Sequence, residues 1–192
     1  MNQSVAENLV ITVKDYLEGE PLANIRHEYI DGDVYAMAGA GDAHVKVTLN
    51  AAFLLKGQLR GSGCSTYVSD MKVRIGEDEA FFYPDVMVTC DAKDQYPEQN
   101  YIKKFPKLII EVLSPSTESK DRGKKFILYR TLESLEEYVL IDPREYYVEL
   151  YRRQDNDHWM MVSFDQEDAV IEFKSVGMTC NLIDLYEDVV FG

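Results

Sequence analysis

The run Leu108-Ile109-Ile110-Glu111-Val112-Leu113-Ser114-Pro115-Ser116-Thr117 is preceded by Tyr83-Pro84-Asp85-Val86-Met87-Val88 and followed by Asp121-Arg122-Gly123-Lys124-Lys125-Phe126. Asp85 and Glu111 each interrupt an apolar segment that reads as a buried strand. A carboxylate in such a place is costly unless it is paired or binds a metal. Two of them on neighbouring strands, with a lysine on the next helix, could form a divalent-metal site for phosphodiester cleavage.

Local sequence weighs each residue differently. Glu111 has apolar flanks on both sides, as in a strand buried on both faces; there the function reading outweighs a structural salt bridge. Pro84 suits the start of a strand and places Asp85 near a strand end, where capping a turn is an equal alternative. Lys125 lies four residues after Asp121, the spacing of an exposed helical ion pair, or of a lysine reaching back to the two carboxylates. Spacing alone does not separate it from Lys124. Phe126, expected to face the core, places Lys125 at the border of the buried face. Glu28, on a strand, and His44, in the first turn of a helix, are accessory candidates.

Outward from these segments the chain alternates short elements. Thr12 is set to cap a short helix ending near Gly19 and Pro21. His27–Ile30 and Val34–Ala38 flank Asp31-Gly32-Asp33, a hairpin signal. A helix is expected from Asp42 to about Arg60, with Val45, Leu49, Ala52, Phe53 and Leu55 or Lys56 as its apolar face. Strands follow at roughly 65–75, 80–90 and 107–113. A helix is expected over about 118–132 and a strand over 137–141. Amphipathic strands fill 146–174, and a short helix or turn spans Leu182–Tyr186. The order predicts one α+β (mixed α/β) domain over 1–192: a central mixed sheet in an αβββαβ core, an N-terminal helix and hairpin, and extra C-terminal antiparallel strands. Residues 1–10 read as a loose N-terminal segment.

Composition narrows the class. The chain has 192 residues, 46% hydrophobic and 28% charged, ordinary for a globular domain. No signal peptide or membrane-length apolar run is visible, and a cytoplasmic location is expected. Cys64, Cys90 and Cys180 form no C-x-x-C, and read as small buried hydrophobes in a reducing compartment. No phosphate-binding glycine loop, G-x-S-x-G or H-E-x-x-H is present. The net charge of −14 argues against nucleic acid, yet residues 101–130 carry eight bases (Lys103, Lys104, Lys107, Lys120, Arg122, Lys124, Lys125, Arg130) against three acids (Glu111, Glu118, Asp121). That block brackets the two carboxylates, although a solvated face is the commoner meaning of a lysine run.

Pro-Asp in one strand and Glu-x-Leu in the next resembles the PD-(D/E)XK nuclease superfamily, with Leu113 where its motif lysine normally stands. The chain resembles one subfamily with that departure, the Uma-two family of restriction-endonuclease-like proteins. The resemblance rests on Glu28-Tyr29-Ile30-Asp31-Gly32, Met37-Ala38, His44, Tyr83–Val86, Glu111–Thr117, Asp121 with Lys125, and Glu137–Pro143, and spans about residues 12 to 165. It implies a restriction-endonuclease-like fold and a metal-dependent DNA endonuclease. Asp85 and Glu111 would be ligands to Mg²⁺ (or Mn²⁺), Lys125 the lysine moved from strand to helix, and Glu28 and His44 accessory residues. DNA, rather than RNA, would be met through residues 101–130, by a homodimer joined through the aromatic strands Tyr146–Tyr151 and Trp159, unless those aromatics fill the subunit's own core. The alternative is a catalytically inactive nuclease-fold protein acting as a scaffold or regulatory partner, which the acidic net charge favours.

Overall fold

The computed structural model describes residues 10–77, 79–96 and 101–192. Apart from Val10, the segment expected to be loose lies outside the described residues.

Two sheets share one core. The first, with strand order β2-β1-β5-β4-β7, is built from β1 (His27–Ile30), β2 (Asp33–Ala36), β4 (Lys72–Ile75), β5 (Ala80–Phe82) and β7 (Ile102–Lys103). The second, with order β11-β10-β9-β8-β6-β3, uses β3 (Ser65–Val68), β6 (Val86–Thr89), β8 (Pro106–Val112), β9 (Glu137–Asp142), β10 (Tyr147–Arg153) and β11 (Trp159–Phe164). It is mixed: β8 runs parallel to β9, and its other pairs are antiparallel. A small pair, β12 (Val170–Phe173) and β13 (Met178–Asn181), and a 3₁₀ turn at Leu182–Tyr186 complete the C-terminal end.

The β1–β2 turn follows from its sequence. Asp31 and Gly32 both take positive φ, 48° and 92°, the backbone of a type I′ hairpin turn. A Cβ on Gly32 would stand 2.4 Å from Val10 Cγ1, so the turn excludes a side chain there. The Thr12 side chain accepts from Asp15 N and caps α1 (Val13–Gly19), as expected.

The stretches read as continuous strands at 65–75 and 80–90 are each two strands. The chain leaves one sheet and enters the other at Ser69–Met71 and again at Tyr83-Pro84-Asp85. Ser69, at φ 37°, donates its N–H to the carbonyl of Asp85 at 3.2 Å, joining the two crossings. Alternation of apolar residues does not register such a corner, because a strand that changes sheets stays buried on both sides of it.

The six-stranded sheet is covered on both faces. On one, α2 (Asp42–Gln58) buries Val47, Ala51 and Leu55 against Val86, Val88, Ile110 and Val112. Val45, Leu49 and Phe53, expected to be its core face, are instead exposed at 52%, 64% and 73%. Both stripes have helical spacing, and periodicity could not choose between them. On the other face, Met87, Ile109 and Leu113 pack with Ile30, Val73 and Phe82 of the five-stranded sheet and with Leu128 and Tyr129.

Two further expectations are corrected. Cys64 and Cys90, which extend the β3–β6 ladder by one residue, are joined as a disulfide; Cys180 alone is a free, buried cysteine among the described residues. Closing a loop of 26 residues stabilises the fold by roughly 3 kcal/mol in the chain-entropy account. The helix expected over 118–132 is composite: α3 (Glu118–Lys120), a π-helical turn (Asp121–Lys125) and α4 (Phe126–Tyr129).

Three of the aromatic strand residues make ring contacts within the subunit. Tyr151 and Trp159 pack on Phe126, and Tyr146 packs on Tyr186 and Phe191. No helix among the described residues is long and apolar enough to cross a membrane.

Candidate active site

Asp85 stands at the sheet-to-sheet corner, immediately before β6. Val86 pairs with Ile110, so one more step of the antiparallel register sets Asp85 opposite Glu111. Directly opposed residues share a face. The N–H of Val112 donates to Asp85 Oδ2 at 2.7 Å and fixes that carboxylate beside the end of β8.

His44 reaches the same oxygen from the first turn of α2, with Nε2 3.4 Å from Asp85 Oδ2. Burial by itself would lower its pKa, but the hydrogen bond and negative charge of Asp85 outweigh it, and the imidazole pKa is raised.

Glu111 is 2% exposed in the middle of an otherwise apolar strand. Burial pushes its carboxyl well above the usual range; Lys125 opposes the shift, and the charges of Asp121, Asp85 and Glu28 add to it. Glu111 Oε1 accepts from Lys125 Nζ at 3.1 Å and from Tyr129 OH at 3.0 Å.

The π-helical turn delivers the lysine. Such turns place a side chain that a regular helix would misdirect, and occur often at functional sites. Lys125 is 4% exposed and Lys124 is exposed. The Lys125 ammonium lies 2.8 Å from Glu28 Oε1, 3.1 Å from Glu111 Oε1 and 3.3 Å from Asp121 Oδ1. It has three N–H donors, and three carboxylates surround it. Burial would lower its pKa; Glu111, Glu28 and Asp121 together hold it well above the usual value.

All five sequence candidates therefore meet at one place: Asp85, Glu111 and Lys125, with Glu28 and His44 beside them. The Asp121–Lys125 pair has the expected spacing, but it is buried rather than exposed. Three contributors were not among the candidate site residues. Asp121 completes the lysine's cage, with its carboxyl pKa raised by burial. Tyr129 holds Glu111. Lys120 donates to Glu28 Oε2 at 2.6 Å and lies 4.4 Å from the Tyr35 ring centre. For Asp121 and Tyr129 the signal was the four-residue spacing on either side of Lys125, read as a buried face; Lys120 has no such spacing.

The side chains at the rim, Asp85, His44 and Lys120, keep 16–25% of their surface exposed, whereas those of Glu111, Glu28, Asp121 and Lys125 keep 7% or less. The basic segment does not form one uninterrupted surface. Lys103 is buried with its Nζ on the carbonyl of Asp94, Lys107 pairs with Glu136, and Arg122 pairs with Glu118 and Glu149. Lys124 and Arg130 are exposed.

The donors suit a hard divalent cation: carboxylate oxygens without a thiolate. Four carboxylates face two lysines, an excess of negative charge. Among the described residues no group of three or more His, Cys, Asp or Glu side chains is arranged to hold a metal ion.

The fold is shared with a crystal structure described as "a putative nuclease belonging to DUF820" from Anabaena variabilis ATCC 29413. The likeness has a TM-score of 0.78 at 20% identity and covers 94% of this chain and 99% of that one. Two uncharacterized proteins of Synechocystis sp. (strain ATCC 27184 / PCC 6803 / Kazusa) are similar in sequence. One is 34% identical over 181 residues, 94% of each chain; the other is 37% identical over 169 residues, 88% of this chain and 96% of that one. The family profile described as "Uma2: Putative restriction endonuclease" matches residues 13–182. With that match across both sheets and every residue of the site, the chain belongs to the Uma2 family.

Proposed function

We propose that this protein is a divalent-metal-dependent endonuclease that hydrolyses DNA phosphodiester bonds. The observation that carries the proposal is the register of β6 and β8, which sets Asp85 against Glu111 at a sheet corner, with Lys125 3.1 Å from Glu111. Asp85 and Glu111 would hold Mg²⁺ or Mn²⁺, which when bound supplies an activated water and neutralises phosphate charge.

The chain's own residues have separable tasks. The Val112 N–H orients Asp85 through Oδ2. Tyr129 and Lys125 orient Glu111. Lys125 offsets the negative charge of the buried carboxylates and supplies the ammonium that stabilises charge on the reacting phosphate. Lys120, at the rim and paired with Glu28, would meet a backbone phosphate, with Lys124 and Arg130 further along the same segment. The family membership supports a nuclease and, with it, a nucleic-acid partner; a homodimer and a cytoplasmic setting remain part of the proposal.

The test is Mn²⁺-dependent cleavage of single-stranded, duplex and branched DNA beside Asp85→Asn. Asparagine keeps an acceptor for the Val112 N–H and removes the charge. Cleavage by the wild type and none by the variant is the expected result. No cleavage of any substrate by the wild type would favour a non-catalytic scaffold.

A further inference from the structure

Helix α2 is apolar on two opposite sides. Val47, Ala51 and Leu55 enter the core, while Val45, Leu49 and Phe53 project from the far side with 52%, 64% and 73% of their surface exposed. Three large apolar side chains at i, i+4 and i+8 form a continuous stripe one helical face wide. A contiguous apolar stripe of this kind is the sort of surface that marks an interaction site.

The stripe is arranged symmetrically about its centre. Leu49 is the midpoint; Val45 and Phe53 lie four residues to either side, and Asp42 and Lys56 seven to either side. Asp42 and Lys56 are both exposed, and Asp42 keeps 77% of its side-chain surface while pairing with Lys46. In two α2 helices packed antiparallel around a two-fold axis, Leu49 meets Leu49 of the second copy, Val45 meets Phe53, and Asp42 meets Lys56 at both ends. A parallel pairing would instead set Asp42 against Asp42 and Lys56 against Lys56. The same patch serving both subunits, with self-complementary charge, is the requirement of an isologous interface.

We infer that the exposed face of α2 is a homodimer interface whose occupant is α2 of a second copy, antiparallel and centred on Leu49. Of the aromatic strand residues, Tyr146, Tyr151 and Trp159 already pack on rings of their own subunit. His44 lies on the core-facing side of the same helix, so the interface leaves it unobstructed. At 1.5 Å per residue the two His44 positions are separated by roughly 15 Å along the paired axes. The dimer would thus hold two candidate sites at a fixed spacing, whatever chemistry they perform.

The test uses the full chain. Light scattering on the wild type at tens of micromolar should give a dimer mass. Leu49→Glu should give a folded monomer, because the side chain is outside the core, with a melting temperature that no longer rises with protein concentration as the wild type's does. Asp42→Lys should weaken dimerisation at least tenfold, and adding Lys56→Asp should restore it. Leu49→Cys should cross-link to itself on mild oxidation, because residues on the axis of a helix pair meet disulfide geometry; Ile127→Cys, exposed elsewhere, should not. A monomeric wild type overturns the inference. So does a dimer that survives Leu49→Glu, the result expected if the edge strand β11 were the contact. Failure of the double charge swap to restore pairing overturns the antiparallel register.

Discussion

Lys125 Nζ lies 3.1 Å from Glu111 Oε1, although the two residues belong to different elements fourteen positions apart in the chain. A lysine at position 113, two residues beyond Glu111, would have come from the strand itself; here the helix supplies the ammonium. The relationship makes a variant of either residue a test of both.

Removing the lysine would have two consequences. Lys125→Ala leaves Glu28, Glu111 and Asp121 facing one another without their shared cation. Breaking a buried ionic group from one side costs roughly 3–5 kcal/mol. Loss of DNA cleavage in that variant is expected, together with a lower midpoint in urea. Adding Glu28→Gln should recover part of the stability and none of the cleavage. Lys124→Ala should stay within about 0.5 kcal/mol of the wild type, and cleave. Cleavage lost in Lys124→Ala and kept in Lys125→Ala would reverse the assignment of the two lysines.

Much of this site was legible because its residues violate local patterns. A glutamate in Leu-Ile-Ile-Glu-Val-Leu and an aspartate after Tyr-Pro stand out against apolar neighbours. What periodicity could not supply was direction. The two stripes of α2 have equal spacing, so the sequence alone did not tell core from surface. Two strand-like stretches each proved to be a pair bent at Ser69–Met71 or Tyr83–Asp85, since burial persists through the bend. The cysteine pair became visible only with the β3–β6 register, which connects positions 26 residues apart.

Glu111→Gln should preserve the fold and weaken Mn²⁺ binding. Glutamine keeps the volume and an oxygen for the Tyr129 hydroxyl, while burial already disfavours the charge it removes. Lys125 keeps Glu28 and Asp121 as partners. Stability should therefore change by no more than about 1–2 kcal/mol. Titration calorimetry with Mn²⁺ reads the other half. Unaltered affinity would make Glu111 structural.

His44 gives the metal-free protein a pH signature. Its folded pKa is raised above the ordinary 6.5: burial acts to lower it, but Asp85 prevails. The folded state thus binds this proton more tightly than the unfolded chain does. The stability it contributes is fully present below the unfolded pKa and is lost as pH rises through the folded one. Urea unfolding of wild type and His44→Asn from about pH 5 to about pH 8 should show a gap that is largest at the acid end and narrows upward. A gap independent of pH would show that His44 and Asp85 are not coupled by charge.

Tyr129 offers the cleanest separation of positioning from chemistry. Its hydroxyl donates to Glu111 Oε1 at 3.0 Å, and burial pushes the phenol pKa well above its ordinary value, so it remains a donor. Its ring packs against Phe82 and Tyr138, contacts that phenylalanine would keep. Tyr129→Phe therefore removes one hydrogen bond to a buried carboxylate and little else, a loss of about 1.5–3 kcal/mol if that carboxylate is charged. Mn²⁺ affinity should fall less than in Glu111→Gln, because both carboxylates remain and only the orientation of one is loosened. The two measurements together identify the resting state of Glu111. A stability loss in this range means the hydroxyl holds a carboxylate that Lys125 keeps ionised. Wild-type stability with weakened Mn²⁺ binding means Glu111 rests neutral and needs the phenol only when it loses its proton. Wild-type values for both would remove Tyr129 from the site.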